Sequence, residues 1–252
     1  MKIALLGDVH ANLPALEAVL DHASQQGVQG IWNIGDFVGY GAFPNQVIER
    51  LREVQALDII GNYDLKVLRF TKKKEKWRKR KRPEKYLAFK WANENLSEEN
   101  RKYLASLPKE RMVEIEGKQI LLTHASPASN EEHLTPDTPA ERFNELAHLA
   151  ETKTGVNLDA IIFGHSHQAF AFYVGNVWFI NTGSVGRPDD GDPRACYAVM
   201  QIDGDQIRVQ HYRLAYDVGK AVAEIRSKHL PEAFAQMMIQ GVDLDNVLTN
   251  PS

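Results

Sequence analysis

The chain has 252 residues, 43% hydrophobic and 25% charged, with a net charge of −3, values typical of a soluble globular protein with room for a sizeable core. A single cysteine, Cys196, excludes an internal disulfide. Its place in the apolar run 195–200 predicts simple burial. The opening MKIALLGDVH has only five apolar-side residues before Gly7 and Asp8, too short for a secretory leader or a membrane span, so a cytoplasmic protein without membrane contact is expected. Charge is unevenly spread: ten basic and two acidic residues between Lys72 and Lys85 give a local +8, and the rest carries −11.

Residues 2–6 read as a short buried strand. Asn12 is placed to cap a helix that carries Leu16, Val19 and Leu20 on one face and runs to about Gln26, before Gly27. A second strand at 31–34, a helix at 44–53 and a third strand at 58–60 follow. Residues 83–106 read as two helices divided at a Ser97 cap and stopped by Pro108. Strands at 112–115 and 119–123 flank Glu116-Gly117, a hairpin signal. A helix at 138–152 and a strand at 160–163 come next. Strands at 170–174, 177–180, 196–202 and 206–212 follow, and residues 217–240 read as two helices. With neither a repeat nor a Gly/Ser linker, a single α/β domain with mixed sheets is predicted.

The chemistry lies where strands end. Six apolar runs lead directly into short loops: Gly7-Asp8-Val9-His10, Gly35-Asp36, Gly61-Asn62-Tyr63-Asp64, His124, Gly164-His165-Ser166-His167 and Asn181-Thr182-Gly183-Ser184. In an α/β sheet, loops at the carboxyl ends of strands gather at one rim, where ligands bind. Taken singly, these motifs are weak, because Gly and Asp are ordinary turn formers. Two imidazoles two residues apart, His165 and His167, are more specific. The ordered set is strong, since the turn reading would have to hold at every loop independently.

In order and spacing, these residues resemble the calcineurin-like metallophosphoesterases, and among them a small bacterial and archaeal phosphodiesterase-like branch. Segments 104–108, 123–127, 181–188, 190–194 and 213–218 resemble that branch too, so the likeness runs from about residue 1 to 241. It implies an α/β fold of two mixed β-sheets packed as a sandwich flanked by helices (αββα). That fold would span 1–252 as one domain, with a basic helical insertion at about 70–108 and a helical tail at about 217–241. It also implies two divalent metal ions, one held by Asp8, His10, Asp36 and His167 and the other by Asp36, Asn62, His124 and His165, with Asp36 bridging. Asn12 matches a position that orients substrate or a loop, and Asp64 one that fixes the Asn62 loop. Mixed carboxylate and imidazole ligands suit transition metals, with manganese foremost and Fe, Co, Ni or Zn as alternatives, better than Ca or Mg.

The implied activity is hydrolysis of phosphodiester, phosphomonoester or phosphoanhydride bonds by a metal-bridging hydroxide, foremost on nucleotide-type small molecules. Protein phosphatase and nuclease activity are alternatives on the same site. A binding module that keeps the fold without catalysis is the alternative of another class. The sequence departs from the family where Tyr63 replaces the usual His between Asn62 and Asp64, the residue that can protonate a leaving group. A tyrosine has an ordinary pKa of about 10, so it is a poor substitute. Substrates with acidic leaving groups are therefore expected, with Tyr63 as proton donor, stacking wall or packed rim residue. Arg187 and Arg194 flank residues 183–191 and are candidates for phosphate contact, as against solvated surface arginines. His22, His133, His148, His211 and His229 read as structural or surface residues. The tract Lys72 to Lys85, with Trp77 inside it, fits either a solvated insertion or a contact for nucleic acid or another polyanion. The late strand at 206–212 makes a homodimer conceivable through its edge.

Overall fold

The computed structural model describes residues 1–249. The first half of the chain forms β1 (Lys2–Leu6), α1 (Leu13–Gln25), β2 (Gly30–Asn33), α2 (Pro44–Glu53) and β3 (Leu57–Asp58), then α3 (Asn62–Leu68), α4 (Phe70–Arg80), α5 (Pro83–Asn95) and α6 (Glu98–Ser106). The second half forms β4 (Glu110–Ile115), β5 (Lys118–Thr123), α7 (Ala140–Thr154), β6 (Ala160–Phe163), β7 (Phe170–Val174) and β8 (Val177–Asn181). It ends with β9 (Ala195–Asp203), β10 (Gln206–Leu214), α8 (Val218–Ser227), α9 (Glu232–Gln240) and α10 (Leu244–Thr249).

Two five-stranded mixed sheets result, in the orders β10-β9-β1-β2-β3 and β4-β5-β6-β8-β7. Side chains alternate across each strand, which decides the layers. Ile3 and Leu5 of β1 meet Ile120, Leu122 and Ile162 of the other sheet in a core between the two. Ala4 and Leu6 point the opposite way, into a larger core beneath α1, α2, α5 and the C-terminal helices. Leu121, Ile161 and Phe163 face outward under Phe143 and Leu146 of α7. The arrangement is the helix–sheet–sheet–helix sandwich expected from the sequence. Within it, β1, β2 and β3 run parallel in one sheet, as do β5, β6 and β8 in the other, so each sheet sends three carboxyl ends to one rim.

Most boundaries agree with the sequence reading to within a few residues. Asn12 caps α1 by accepting from the Ala15 amide, and Ser97 caps α6 by accepting from that of Asn100. The largest difference lies just after Gly61, where a loop is expected and α3 forms instead, while α4 falls within the expected helical insertion. Asp64, at the third position of α3, accepts from the Gly61 amide and starts that helix early. Phe70 and Trp77 of α4 then pack against Tyr86 and Phe89 of α5, which docks the basic tract on the body. A further helix, α10, follows the expected tail and buries Leu244 and Val247 in the same outer core. No helix among the described residues is long and apolar enough to cross a membrane.

Candidate metal centre

Five of the expected ligands meet between the two sheets. The Nε2 atom of His167 lies 3.3 Å from Asp8 Oδ1 and 3.3 Å from His10 Nε2. His10 Nε2 is 3.9 Å from Asp8 Oδ1 and 3.8 Å from Asp36 Oδ2, and His124 Nε2 is 3.5 Å from that same Asp36 oxygen. Two sets of three donors are close enough to surround a cation: Asp8, His10 and His167, and Asp8, Asp36 and His124. The shared member by distance is Asp8, whereas the family pattern puts Asp36 between the metals. His165 stands beside the second set, its ring 5.2 Å from that of His124.

Backbone strain marks the same residues. Asp8, His10, Asp36, His165 and His167 have φ of 51, 47, 56, 66 and 59°, a left-handed region that costs a side-chain-bearing residue about 1–2 kcal/mol. Cross-rim hydrogen bonds hold it in place. The Asp8 amide donates to Gly35 O at 2.9 Å, that of His10 to Asp36 O at 2.9 Å, and that of His165 to Asp8 Oδ2 at 3.0 Å. Such strain, concentrated where side chains converge, is characteristic of functional sites. Two glycines allow the close approach. A Cβ on Gly61 would stand 2.1 Å from Asp36 Oδ1, and one on Gly164 would stand 2.4 Å from Asp8 Oδ2.

The imidazoles are fixed from behind. Nδ1 of His124 donates to Ile34 O at 2.9 Å, Nδ1 of His167 to Arg187 O at 2.7 Å, and Nδ1 of His10 to Val38 O at 3.3 Å. A carbonyl can only accept, so Nδ1 of His124 and of His10 carries the proton and Nε2 turns a lone pair toward the cluster, while Nδ1 of His167 meets both Arg187 O and, at 3.2 Å, the Arg187 guanidinium. Asp64 anchors the carboxylate loops from below, accepting from the amides of Asp36 (2.9 Å), Gly61 (3.0 Å) and Val38 (3.2 Å).

Electrostatics call for cations here. Burial, with the charge of Asp8 close by, pushes Asp36 up to about 8. Burial would raise Asp8 as well, but the adjoining His167 imidazole outweighs it and holds that carboxyl below its usual range. Burial, with His124 beside it, lowers His165 to about 3, and burial together with Arg187 depresses His10. The result joins a carboxyl held in its charged form, Asp8, to one that burial drives toward its protonated form, Asp36, with the His10 and His165 imidazoles pushed toward neutrality; a bound cation would displace the Asp36 proton. Three side-chain atoms of the site, Asp8 Oδ1, Asn62 Oδ1 and His124 Nε2, are buried with no hydrogen-bond partner. Unpaired buried polar atoms are costly, and bound divalent ions would give all three a partner. The donors therefore fit divalent transition metals, with oxygen and nitrogen ligands and no sulfur.

The remaining expected residues divide. Asn62 is buried at the rim, and the Tyr63 amide donates to Asp36 Oδ1 at 2.7 Å. The Tyr63 hydroxyl shares a 2.7 Å bond with that of Tyr40, and its ring packs on Phe89. Burial, with Tyr40 beside it, raises its pKa well above 10. Arg187 places its guanidinium 5.0 Å over the Tyr40 ring, on the wall of a cavity of about 340 Å³ that opens over Asp36, Asn62 and His165. Arg194 is not at the cavity; it pairs with Asp192 on the surface. The Asn12 side-chain amide is occupied by Gly186 O and the Tyr216 hydroxyl. Several cavity residues carried no signal in the motifs, among them Tyr40, Lys66, Asp189 and His133, the last read from sequence as structural or surface. The strands leading to the motifs do not point to them; Tyr40 lies on the loop after Asp36, and Lys66 on the unexpected helix α3.

A family model for the calcineurin-like phosphoesterase superfamily domain matches residues 1–205. An uncharacterized protein of Methanocaldococcus jannaschii is 33% identical over 95% of this chain and 98% of its own length. The phosphodiesterase YfcE of Escherichia coli K12 is 25% identical over 81% of this chain and 89% of its own. Among solved structures, a metallophosphoesterase of Sphaerobacter thermophilus superposes with a TM-score of 0.73 at 28% identity, covering 96% of this chain and all of that one. A hypothetical protein of Pyrococcus horikoshii shares the fold with a TM-score of 0.84 at 21% identity, covering 95% of this chain and 98% of that one. The motif-bearing loops, the strained rim they form and the matched domain agree: this chain is a member of the calcineurin-like phosphoesterase superfamily, a family of phosphate-ester hydrolases.

Proposed function

We propose that the protein is a two-metal phosphoesterase that acts on phosphodiester or phosphoanhydride bonds of nucleotide-type small molecules. The observation that carries this reading is the cluster of Asp8, His10, Asp36, His124 and His167, with three buried polar atoms left without partners. Asp8, His10, Asp36 and His167 would hold one ion, and Asp36, Asn62, His124 and His165 the other. Two bound ions supply positive charge for the phosphoryl oxygens and an activated water for in-line attack. YfcE, named a phosphodiesterase, is similar over most of the chain and supports the ester class.

The chain's own residues set the remaining chemistry. Arg187 and Lys66 on the cavity wall would neutralise phosphate oxygens that face away from the metals. Asp64 keeps the Asp36 and Asn62 loops in register by hydrogen bonds alone and is a positioning residue. Tyr63 is engaged by Tyr40 and has a raised pKa, so it is poorly suited to deliver a proton and serves as a packed wall. Without a proton donor there, leaving groups that depart as stable anions are favoured over alkoxides. The 252 residues would work as one unit, with the 70–108 insertion and the 217–241 tail packed on the same outer core.

The test is a side-by-side assay, with Mn²⁺, of bis-p-nitrophenyl phosphate, nucleoside polyphosphates and alkyl phosphomonoesters, together with metal analysis of purified protein. Expected are about two transition metals per chain and turnover of the first two classes well above the third. Protein that stays metal-free after manganese supplementation and hydrolyses none of them would refute the reading.

A further inference from the structure

A second cleft of about 570 Å³ adjoins the cavity over the metal centre, and Asn62, Lys66, Lys81 and Glu131 line both. Its charge is one-sided: Lys66, Arg69, Lys73, Lys81 and Lys109 against the single carboxylate of Glu131. Residues 69, 73, 77 and 81 recur every four positions along α4 and its two ends, which places them on one helical face. Arg69, Lys73, Trp77 and Lys81 all line the cleft, while Lys72, Lys76 and Lys79 do not. The helix thus sorts the basic tract into a stripe that faces the active site and a solvated remainder.

The floor of this cleft is built. Trp77 packs on Phe70 and Phe89, and the Lys81 ammonium lies 5.5 Å over the Trp77 ring and 5.4 Å over that of Phe89. Burial and the neighbouring Lys66 lower the pKa of Lys81, so this cation gains from a further negative partner. The side-chain amide nitrogen of Asn130, another lining residue, is buried without an acceptor. Cations, an unpaired donor and an aromatic floor continue directly from the metal centre.

Resting on the phosphoesterase reading above, we propose that this cleft is a subsite for an oligophosphate arm of the substrate, so that the preferred substrates are nucleoside or dinucleoside oligophosphates. The stripe from Arg69 to Lys81 extends about 18 Å along the helix, with cations about 6 Å apart where Trp77 does not intervene. The cleft volume lies within the range of about 300–1,000 Å³ usual for small-molecule sites. The subsite also accounts for the missing proton donor at Tyr63: an oligophosphate leaves as a stable anion, and countercharge serves it better than a proton.

The test is calorimetric binding of inorganic tripolyphosphate to metal-free protein, with a single-stranded oligothymidylate in a parallel arm. The stripe variant Arg69→Gln/Lys73→Gln/Lys81→Gln should weaken tripolyphosphate binding at least about tenfold. The variant Lys72→Gln/Lys76→Gln/Lys79→Gln, which removes the same charge from other faces of α4, should weaken it by less than about twofold. Lys73→Gln alone, at an exposed mid-helix position, repeats the test should the triple variant melt early. Equal losses in both triple variants, or oligothymidylate binding more tightly than tripolyphosphate through the stripe, would overturn the subsite. Manganese-dependent hydrolysis of bis-p-nitrophenyl phosphate by the wild type separates the two claims. If hydrolysis is present and tripolyphosphate ignores the stripe, only the subsite fails; if hydrolysis is absent, the phosphoesterase reading fails.

Discussion

The metal rim and the basic helix α4 are neighbours built on opposite principles. At the rim, charged groups are buried, the backbone is strained and the imidazoles are aimed by carbonyls behind them. On α4, charges are exposed on an ordinary helix, and only its packing against α5 decides which of them face the active site. Chemistry at phosphorus needs donors fixed within fractions of an ångström, which rigid strand ends supply. Recruiting an anion needs only positive charge at short range, which a solvated lysine supplies with little loss of stability.

That contrast can be broken most severely at Asp36. Replacing it with alanine should reduce hydrolysis to the uncatalysed background and release bound metal, read by steady-state kinetics and elemental analysis. Retained metal and activity would remove Asp36 from the centre.

Asp58 tests whether burial alone makes a metal site. Its two oxygens are fully engaged, by the Asn33 amide and the Tyr103 hydroxyl, and burial raises its pKa to about 6 against those two hydrogen bonds. A raised carboxyl keeps its proton longer in the folded state, so the stability it confers below about pH 4 is lost as pH rises through 6. From an ordinary carboxyl value of 3.8, the wild type should lose about 2 kcal/mol relative to Asp58→Asn between pH 4 and 7. Denaturant titrations at both pH values measure this, and parallel curves for the two proteins would contradict it.

Asp64 measures how much the rim depends on its anchor. The change to asparagine replaces an oxygen that accepts backbone amides with a donor, so affinity for Mn²⁺ should fall by about 10- to 100-fold. A competition titration with a chelating dye reads the change, and a shift under threefold would make Asp64 an incidental turn residue. The smallest effect is expected at Tyr63. Loss of its hydroxyl in Tyr63→Phe should alter kcat by less than about threefold, whereas loss of a true general acid costs about 10²–10⁴-fold. A large drop with alkyl leaving groups would restore Tyr63 as proton donor.

Much of the site was legible because strand–loop punctuation is local. Apolar runs ending in Gly-Asp, Gly-Asn or Gly-His fix where ligand-bearing loops begin, and alternation along 3–6 and 120–123 fixes which side chains enter the core. Helix α3 and the bounds of α4 within the expected helical insertion were less legible. The signal that starts α3 is a carboxylate also committed to the amides of Asp36 and Val38, and α4 has little apolar periodicity beyond Phe70 and Trp77. The cavity role of Tyr40 and His133 was not legible for a related reason, since neither belongs to a motif and only folding brings them to the cavity.

The sequence by itself determined the order of the strands, the identity of the metal-capable side chains and the family, because each depends on residues adjacent in the chain. Tertiary structure alone decided that Asp8 is the member common to both donor sets, that the Tyr63 hydroxyl is taken by Tyr40, and that one stripe of α4 lines a cleft adjoining the metal centre. Those facts depend on distances between segments dozens to more than a hundred residues apart, and only the packing of the two sheets and their helices sets such distances.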